Sequence, residues 1–330
     1  MREALALAVS GTSRCSPNPR VGCVLVGPGG EIVGRGYHQG AGSPHAEINA
    51  IASAKGSARG ATAVVTLEPC KHLGRTGPCT QALIDAGIDR VIYAQADPSE
   101  VAGGGAQLLL DAGIAVTGGV LAHEAAAINR AWTHVQVTGR PFVTVKTAMS
   151  LDGRVADAGG GPTTLTGAKA RAWVGQFRSE VDAVLVGSNT ALVDNPALTA
   201  RAGSGALLPD QPLRVVVGER DLPANLRVFA DSGYRGAIQI REHDPVRILE
   251  FLHDLQIQQV LIEGGPTVIS AFLRAHLVDE ILWFVAPHLL GTGPVAMSPL
   301  PEALAVDVAA VEVIGHDVLI RGAPSSAPTT

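Results

Sequence analysis

Apolar positions along this chain come in short blocks whose spacing alternates between about two and about 3.6 residues, which predicts alternating strands and helices. Residues 21–37, VGCVLVGPGGEIVGRGY, read as two strands joined by a turn at Pro28-Gly29-Gly30. HAEINAIASAKG places Ile48, Ile51 and Ala52 on one helical face, and Gly56 closes that helix. ATAVVTLEP predicts a buried strand, CTQALIDAG a helix ended by Gly87, and DRVIYAQA another strand. GGAQLLLDAG with IAVTGG adds one more helix and strand, and the Ala-rich block AHEAAAINRAWTHVQ predicts a single helix. The start, MREALALAVSG, carries Glu3 and too short an apolar core for a secretory signal, so it predicts a first helix.

TGRP at 138–141 interrupts the pattern, and a second series follows. Its predicted strands are FVTVKTAMS, DAVLVGSNTALV (strand onward), PLRVVVG, QVLIEGG and DEILWFVAPHLLG. Its predicted helices are GAKARAWVGQFRSEV, PVRILEFLHDL and PTVISAFLRAHL, and DVAAVEVIG with HDVLIRG predicts a closing hairpin. The expected organisation is therefore one domain over 1–139, a second over 140–322, and a disordered tail over 323–330, APSSAPTT. No internal repeat of solenoid period is present.

Composition narrows the class. The chain has 330 residues, 46% hydrophobic and 17% charged, with 39 glycines, which suits a buried α/β protein with many tight turns. A net charge of −5 argues against a nucleic-acid partner, whose binding rests on Lys and Arg neutralising phosphates. No apolar run approaches the roughly 18 residues that a membrane span needs. Four cysteines, Cys15, Cys23, Cys70 and Cys79, are too few for a disulfide framework and predict a reducing, cytoplasmic home.

The chemistry concentrates in PHAE at 44–47 and LEPCKHLGRTGPC at 67–79. His45, Cys70 and Cys79 make a His-Cys-Cys donor set, and a catalytic zinc keeps three protein ligands with a fourth position for water. Glu47, two residues from His45, is the candidate general acid/base, giving the known arrangement of zinc deaminases. His45 and Cys79 each open a predicted helix, whose positive end favours thiolate and hydroxide. Cys15 and Cys23 read as a loop thiol and a core thiol. A structural zinc closed by a fourth ligand such as His72 is the competing reading.

At this point the chain resembles the bifunctional riboflavin-biosynthesis deaminase/reductase family. The resemblance is carried by SPNPRVGCVLV, GRGYHQGAGSPHAE, the GRTGPC form with eight residues between the cysteines, and VAGGGAQLL. In the second half it is carried by GRPFVTVKTAMSLDGRVA, DAVLVGSNTALVDNPALTAR and LIEGGPTVISAFL. It implies a cytidine-deaminase-like α/β/α domain followed by a dihydrofolate-reductase-like α/β domain. It also implies Zn2+ in the first domain, NADPH in the second, a phosphoribosylated pyrimidine substrate and a homo-oligomer formed through the reductase domain. A deaminase of another base with a non-reducing second domain is the alternative.

By the same resemblance, Asn18, His38, His72, Arg75 and Asp97 would hold the deaminase substrate, although each also reads plainly as a polar loop residue, and His38 as a hydrogen-bonded strand end. Asn18 can present a donor and an acceptor to a pyrimidine edge, and Arg75 a forked cation to phosphate. In the second half, Pro162, Arg178, Leu198, Arg201 and Glu263 would contact substrate, although Arg178 and Arg201 read equally as surface arginines. On its own chemistry Lys146, a cation on an apolar strand, reads with Asp152 as a polar pocket floor facing the substrate. Ala148, Thr164, Thr190 and Asp194 would contact the cofactor, as would Gly265, Pro266, Thr267, Val268, Ile269, Ser270 and Ala271. No G-x-G-x-x-G follows a strand here; EGGPTV at 263–268 is the available glycine turn, opening a helix as an anion site. The chain departs from the family's pattern at Ser99, where Asn is usual, and at Pro162 and Thr164, where Ser and Trp are usual. It departs again at Gly218 and Glu219, where Asp and Ser are common.

Overall fold

The computed structural model describes residues 1–11, 15–72, 77–99, 101–159, 163–230 and 235–325. The chain divides into two compact units, Met1–Gly139 and Arg140–Thr330. No helix among the described residues is long and apolar enough to cross a membrane.

The first unit runs α1 (Arg2–Val9), β1 (Gly22–Val26), β2 (Ile32–Tyr37), α2 (Ala46–Ser53), β3 (Thr62–Leu67), α3 (Cys79–Asp85) and β4 (Arg90–Gln95). It then continues through α4 (Gly105–Asp111), β5 (Ala115–Thr117), α5 (Ala122–Ile128) and α6 (Arg130–Thr138). Its sheet has the order β2-β1-β3-β4-β5, with β1 antiparallel to both neighbours and β3, β4 and β5 parallel. Leu25, Val65, Leu83, Val91 and Leu109 fill the core between sheet and helices. Helix α2 lies directly on β2 because Gly34 and Gly36 have no side chain: a Cβ there would sit 2.4 Å from the Ala50 carbonyl oxygen and 2.3 Å from that of Ala46. That approach sets the height of the helix that begins after His45.

The Ala-rich block is two helices, and the expectation of a single one is corrected. The break falls at Asn129, whose buried amide accepts from the Arg20 N–H at 2.8 Å and donates to the Arg20 carbonyl at 2.9 Å. A short polar side chain that bonds backbone elsewhere is a poor helix-interior residue.

The second unit runs β6 (Phe142–Ser150), α7 (Ala168–Phe177), β7 (Ala183–Gly187), α8 (Ser188–Asp194), β8 (Leu213–Val217), β9 (Ala237–Ile240) and α9 (Pro245–Asp254). It closes with β10 (Gln259–Ile262), α10 (Pro266–Arg274), β11 (Glu280–Ala286), β12 (Val306–Ile314) and β13 (Asp317–Pro324). The sheet order is β12-β13-β11-β6-β10-β7-β8-β9, parallel from β11 to β9 and antiparallel over the closing hairpin. Parallel strands buried on both faces need not alternate, and β7 and β8 are buried at every position. Helix α9 starts as its sequence predicts, with Pro245 in the first turn and Asp244 accepting from the Val246 N–H at 3.0 Å.

Three expectations change here. SNTALV is the helix α8 rather than strand, and β9 is a short strand absent from the predicted set. Ala323 and Pro324, expected in an unstructured tail, belong to β13, while 326–330 lie outside the described residues.

Candidate active sites

In the first unit, His45 is the N-cap residue of α2, Glu47 lies in that helix's first turn, and Cys79 opens α3. Cys70 follows β3, and its carbonyl accepts from the Thr80 N–H at 3.2 Å, so the two cysteine segments are tied together. His45 Nδ1 lies 3.1 Å from Cys79 Sγ and 3.6 Å from Cys70 Sγ, and the Cys79 N–H donates to Cys70 Sγ at 3.5 Å. The three ligand atoms all fall within 4.8 Å of one another. One imidazole nitrogen and two sulfurs, with His45 and Cys79 at helix starts and Cys70 after a strand, fit a zinc ion. Among the described residues His72 does not join the cluster, so no fourth protein ligand closes it.

Electrostatics agree with this donor set. The hydrogen bond from Cys79 pulls the Cys70 thiol down to about 4, and the same bond, with burial, pushes Cys79 up. The shared bond thus favours the thiolate at Cys70 over Cys79, and His45 is raised by its bond to Cys70. Glu47 is 4% exposed, and burial first, then the nearby Cys70 charge, raises its pKa.

Three of the candidate substrate residues link to this cluster, His38 through His45, Asn18 through His38, and Asp97 through the Cys70 charge. His38 is 2% exposed; its Nδ1–H donates to the Pro44 carbonyl at 3.3 Å, leaving Nε2 to accept from the Asn18 amide at 3.2 Å. His38 is thus both the hydrogen-bonded strand end and the partner that orients Asn18. Its ring also packs edge-on against His45, with centroids 5.6 Å apart. His72 Nδ1 is buried without a hydrogen-bond partner among the described residues. Asp97 Oδ1 accepts from the Ser99 N–H at 2.8 Å; burial raises the carboxyl's pKa, and the Glu68 and Cys70 charges add to the rise. At the family departure, Ser99 Oγ accepts from the Ala102 N–H at 3.0 Å. Arg75 lies outside the described residues. Residues not singled out from sequence are Asn129, which grips the Asn18 loop through Arg20, and Glu68.

The second unit holds a cavity of 990 Å³ at the carboxyl ends of β6, β7, β8 and β10, where open α/β sheets bind ligands. Lys146, Ala148, Thr164, Thr190, Asp194 and Glu263 line it, as do Gly265 through Ile269 and Ala271. Ser270 does not: it is fully buried and exchanges hydrogen bonds with the Ser298 backbone. Gly265 has φ +56°, and a Cβ there would sit 3.1 Å from Thr190 Oγ1, so the α10 turn is open only to glycine. A glycine turn opening a helix, beside a cavity of this size, fits a dinucleotide phosphate. Glu219, Arg220 and His243, not assigned from sequence, also line the cavity.

Several expected substrate contacts are engaged differently. Arg178 forms a two-pronged ion pair with Glu263, at 2.5 and 2.9 Å, and donates to the Thr199 carbonyl at 3.1 Å. Arg201 donates to Thr199 Oγ1 at 3.0 Å and to the Gly205 carbonyl at 2.7 Å. Arg178 is therefore charge-paired, whereas Arg201 donates only to neutral oxygens among the described residues. Leu198 is 2% exposed with φ +53°, so its side chain belongs to the core and only its backbone can meet a ligand. Asp152 is no pocket floor: it is exposed and accepts from the Ser150 hydroxyl and the Leu290 and Gly291 N–H groups, pinning a loop. Burial lowers the Lys146 pKa, the Glu263 charge partly offsets this, and Arg178 adds to the lowering. Pro162 lies outside the described residues.

Two family descriptions match the chain. Residues 1–95 match the cytidine and deoxycytidylate deaminase zinc-binding region, and residues 141–320 match the RibD C-terminal domain. Fold, site and matches together define a protein that joins a zinc-type deaminase domain to a dihydrofolate-reductase-like domain. The chain belongs to the riboflavin biosynthesis protein RibD family. It is 46% identical over 329 residues to that protein from Mycobacterium tuberculosis, covering 96% of each chain, and 40% identical over 337 residues to the Escherichia coli one, covering 91% of this chain and 90% of the other. Among solved structures, Acinetobacter baumannii RibD has a TM-score of 0.91 at 36% identity, covering 98% of both chains. A Thermotoga maritima diaminohydroxyphosphoribosylaminopyrimidine deaminase/5-amino-6-(5-phosphoribosylamino)uracil reductase has a TM-score of 0.88 at 34% identity, covering 98% of this chain and 97% of that one.

Proposed function

We propose that this chain catalyses two successive steps of riboflavin biosynthesis. The observation that carries the reading is the convergence of His45, Cys70 and Cys79 beside buried Glu47. The enzyme is a hydrolase and an oxidoreductase. It hydrolyses an exocyclic amine of 2,5-diamino-6-(5-phosphoribosylamino)pyrimidin-4(3H)-one, then reduces the ribosyl group of the product to ribityl with NADPH.

In the first step His45, Cys70 and Cys79 hold zinc, which when bound supplies a Lewis acid that makes water nucleophilic near neutral pH. Glu47 takes a proton from the attacking water and passes it to the departing amine, which leaves as ammonia. Its burial strengthens it as a base. With one Asn18 N–H occupied by His38, the remaining N–H and the carbonyl are left to pair with a pyrimidine edge. His72 Nδ1 and the Asp97 carboxyl supply further polar contacts, and Arg75 is the phosphate contact on sequence grounds alone.

In the second step, the Gly265–Ile269 turn, Ala271, Ala148, Thr164, Thr190 and Asp194 hold NADPH, which when bound supplies a hydride. Lys146 is the ammonium placed to hold or give the matching proton, and burial makes it a stronger acid than an exposed lysine. Glu263, held ionised by Arg178 and then Lys146 against the effect of its burial, partly offsets that charge.

The proposal includes a cytoplasmic home, which suits four free cysteines, and a homo-oligomer through the second unit. Its edge strand β12 exposes Val308, Val311 and Val313 at 57%, 64% and 75%, a face that soluble proteins usually cover. Light scattering on Val311→Lys/Val313→Lys should report smaller particles than the parent.

The experiment for the function is incubation of zinc-loaded protein with the diamino substrate, with and without NADPH, read by mass spectrometry. Without NADPH the product should have exchanged an amine for oxygen; with it, two further hydrogens should appear. Turnover of cytidine in place of the phosphoribosyl substrate would overturn the reading.

A further inference from the structure

Glu68 is a carboxylate at the end of an apolar strand, two residues before Cys70, and it is 7% exposed. Its oxygens accept only backbone N–H groups in the described structure, all from the segment after β4. Oε1 accepts from Gly104 at 3.1 Å and Ala106 at 2.9 Å, and Oε2 accepts from Asp97 at 3.2 Å. The Glu68 backbone joins in, its N–H donating to the Gln95 carbonyl at 2.9 Å, while the Lys71 N–H donates to the Ala102 carbonyl at 3.2 Å. The two segments also touch through bare backbone: a Cβ on Gly105 would lie 1.8 Å from the Pro69 carbonyl oxygen.

A buried carboxylate needs its lone pairs satisfied, and here the partners are the first N–H groups of α4 and the N–H of Asp97. The chain that presents Asp97 is thereby referenced to the chain that presents Cys70. We infer that Glu68 is a positioning residue for the deaminase substrate: it sets the distance between the Asp97 carboxyl and the metal-ligand cluster. This rests on the proposed reading of Asp97 as a substrate contact.

The chemistry of the two oxygens allows a selective test. In Glu68→Gln the amide oxygen keeps Gly104 and Ala106, which are two donors at shorter distances. The amide nitrogen then faces the Asp97 N–H, donor against donor, so Asp97 is released while the α4 start is kept. A role in folding alone would lower activity through the amount of intact enzyme, with KM unchanged. Positioning instead predicts a split.

The full-length, zinc-loaded Glu68→Gln enzyme should retain the zinc content of the parent. KM for the diamino substrate should rise about tenfold or more, with kcat changed less than about threefold. Amide exchange at Asp97 should quicken while that at Ala106 stays slow. Asp97→Asn should raise KM similarly, and the double variant should be no worse than Asp97→Asn alone. If Asp97→Asn raises KM and Glu68→Gln leaves it within about twofold, the positioning role is overturned and the Asp97 reading stands. If Asp97→Asn leaves KM unchanged, the Asp97 reading fails and the positioning role falls with it. Multiplying effects in the double variant would overturn the coupling. Reduction of pre-deaminated substrate by the same protein serves as the measure of intact enzyme.

Discussion

The two units build their sites in opposite ways. The proposed deaminase site is a compact set of side chains, His45, Glu47, Cys70 and Cys79, close together and mostly buried. The proposed reductase site is a wide cavity at strand ends, much of it backbone and small side chains, with Lys146 and Arg220 as the cations on its wall. A metal ion tolerates only a few tenths of an ångström in its ligands, so residue type and placement carry the chemistry. A dinucleotide is held over many weak contacts and a shaped wall, so single residues carry less. Thr164 and Glu219 both lie on that cavity wall.

Variants can break or sharpen this contrast. The largest effect is expected for Cys70→Ser, which should abolish deamination and zinc retention. Reduction of pre-deaminated substrate should continue at the parent rate in the same preparation. Loss of both activities in a folded protein would mean that the units are not separable. Glu47→Gln comes next: deamination should fall roughly 10²- to 10⁴-fold with zinc content unchanged, as metal analysis beside product assay will read.

Effects in the reductase unit should be smaller. Lys146→Met should lower kcat/KM for reduction by roughly tenfold to a hundredfold, the loss of one charged hydrogen bond. It should also stabilise the unit at neutral pH. The native Lys146 pKa is lowered by burial, so the unfolded chain binds the extra proton in the window between that lowered value and the ordinary 10.5. Wild-type stability therefore rises with pH through that window, and the advantage of Lys146→Met should shrink as pH rises. Unfolding midpoints of the two proteins across neutral to alkaline pH will show whether the gap closes. Gly265→Ala places a side chain at φ +56°, at a strain of roughly 1–3 kcal/mol, and should weaken NADPH binding in a fluorescence titration while leaving deamination intact. The smallest effect is expected for Arg220→Gln, an exposed cavity residue, which should weaken NADPH several-fold and NADH hardly at all.

Legibility in the sequence follows the same division. His45 and Glu47 share one helix start, and Cys70 and Cys79 flank one loop, so local spacing exposed all four. Glu68 and Asn129 went unread because their partners are backbone groups, 29 to 38 residues away for Glu68 and 109 away for Asn129. A hint was present in each case: a carboxylate ending an apolar strand, and an asparagine inside an alanine-rich helix. Helix α8 follows β7 with no loop between them, so no turn residue separates SNTALV from the strand, although the polar Ser188-Asn189-Thr190 breaks the apolar run.

The sequence by itself determined the alternation of strands and helices, the donor set and the glycine turn, because each depends on residues near one another in the chain. Tertiary structure alone decided that Arg178 pairs with Glu263, that Ser270 and Asp152 lie off the cavity wall, and that Glu68 and Asn129 bond distant backbone in the first unit. Hydrogen bonds to distant backbone depend on where the fold brings that backbone, and no local pattern of residue types encodes it.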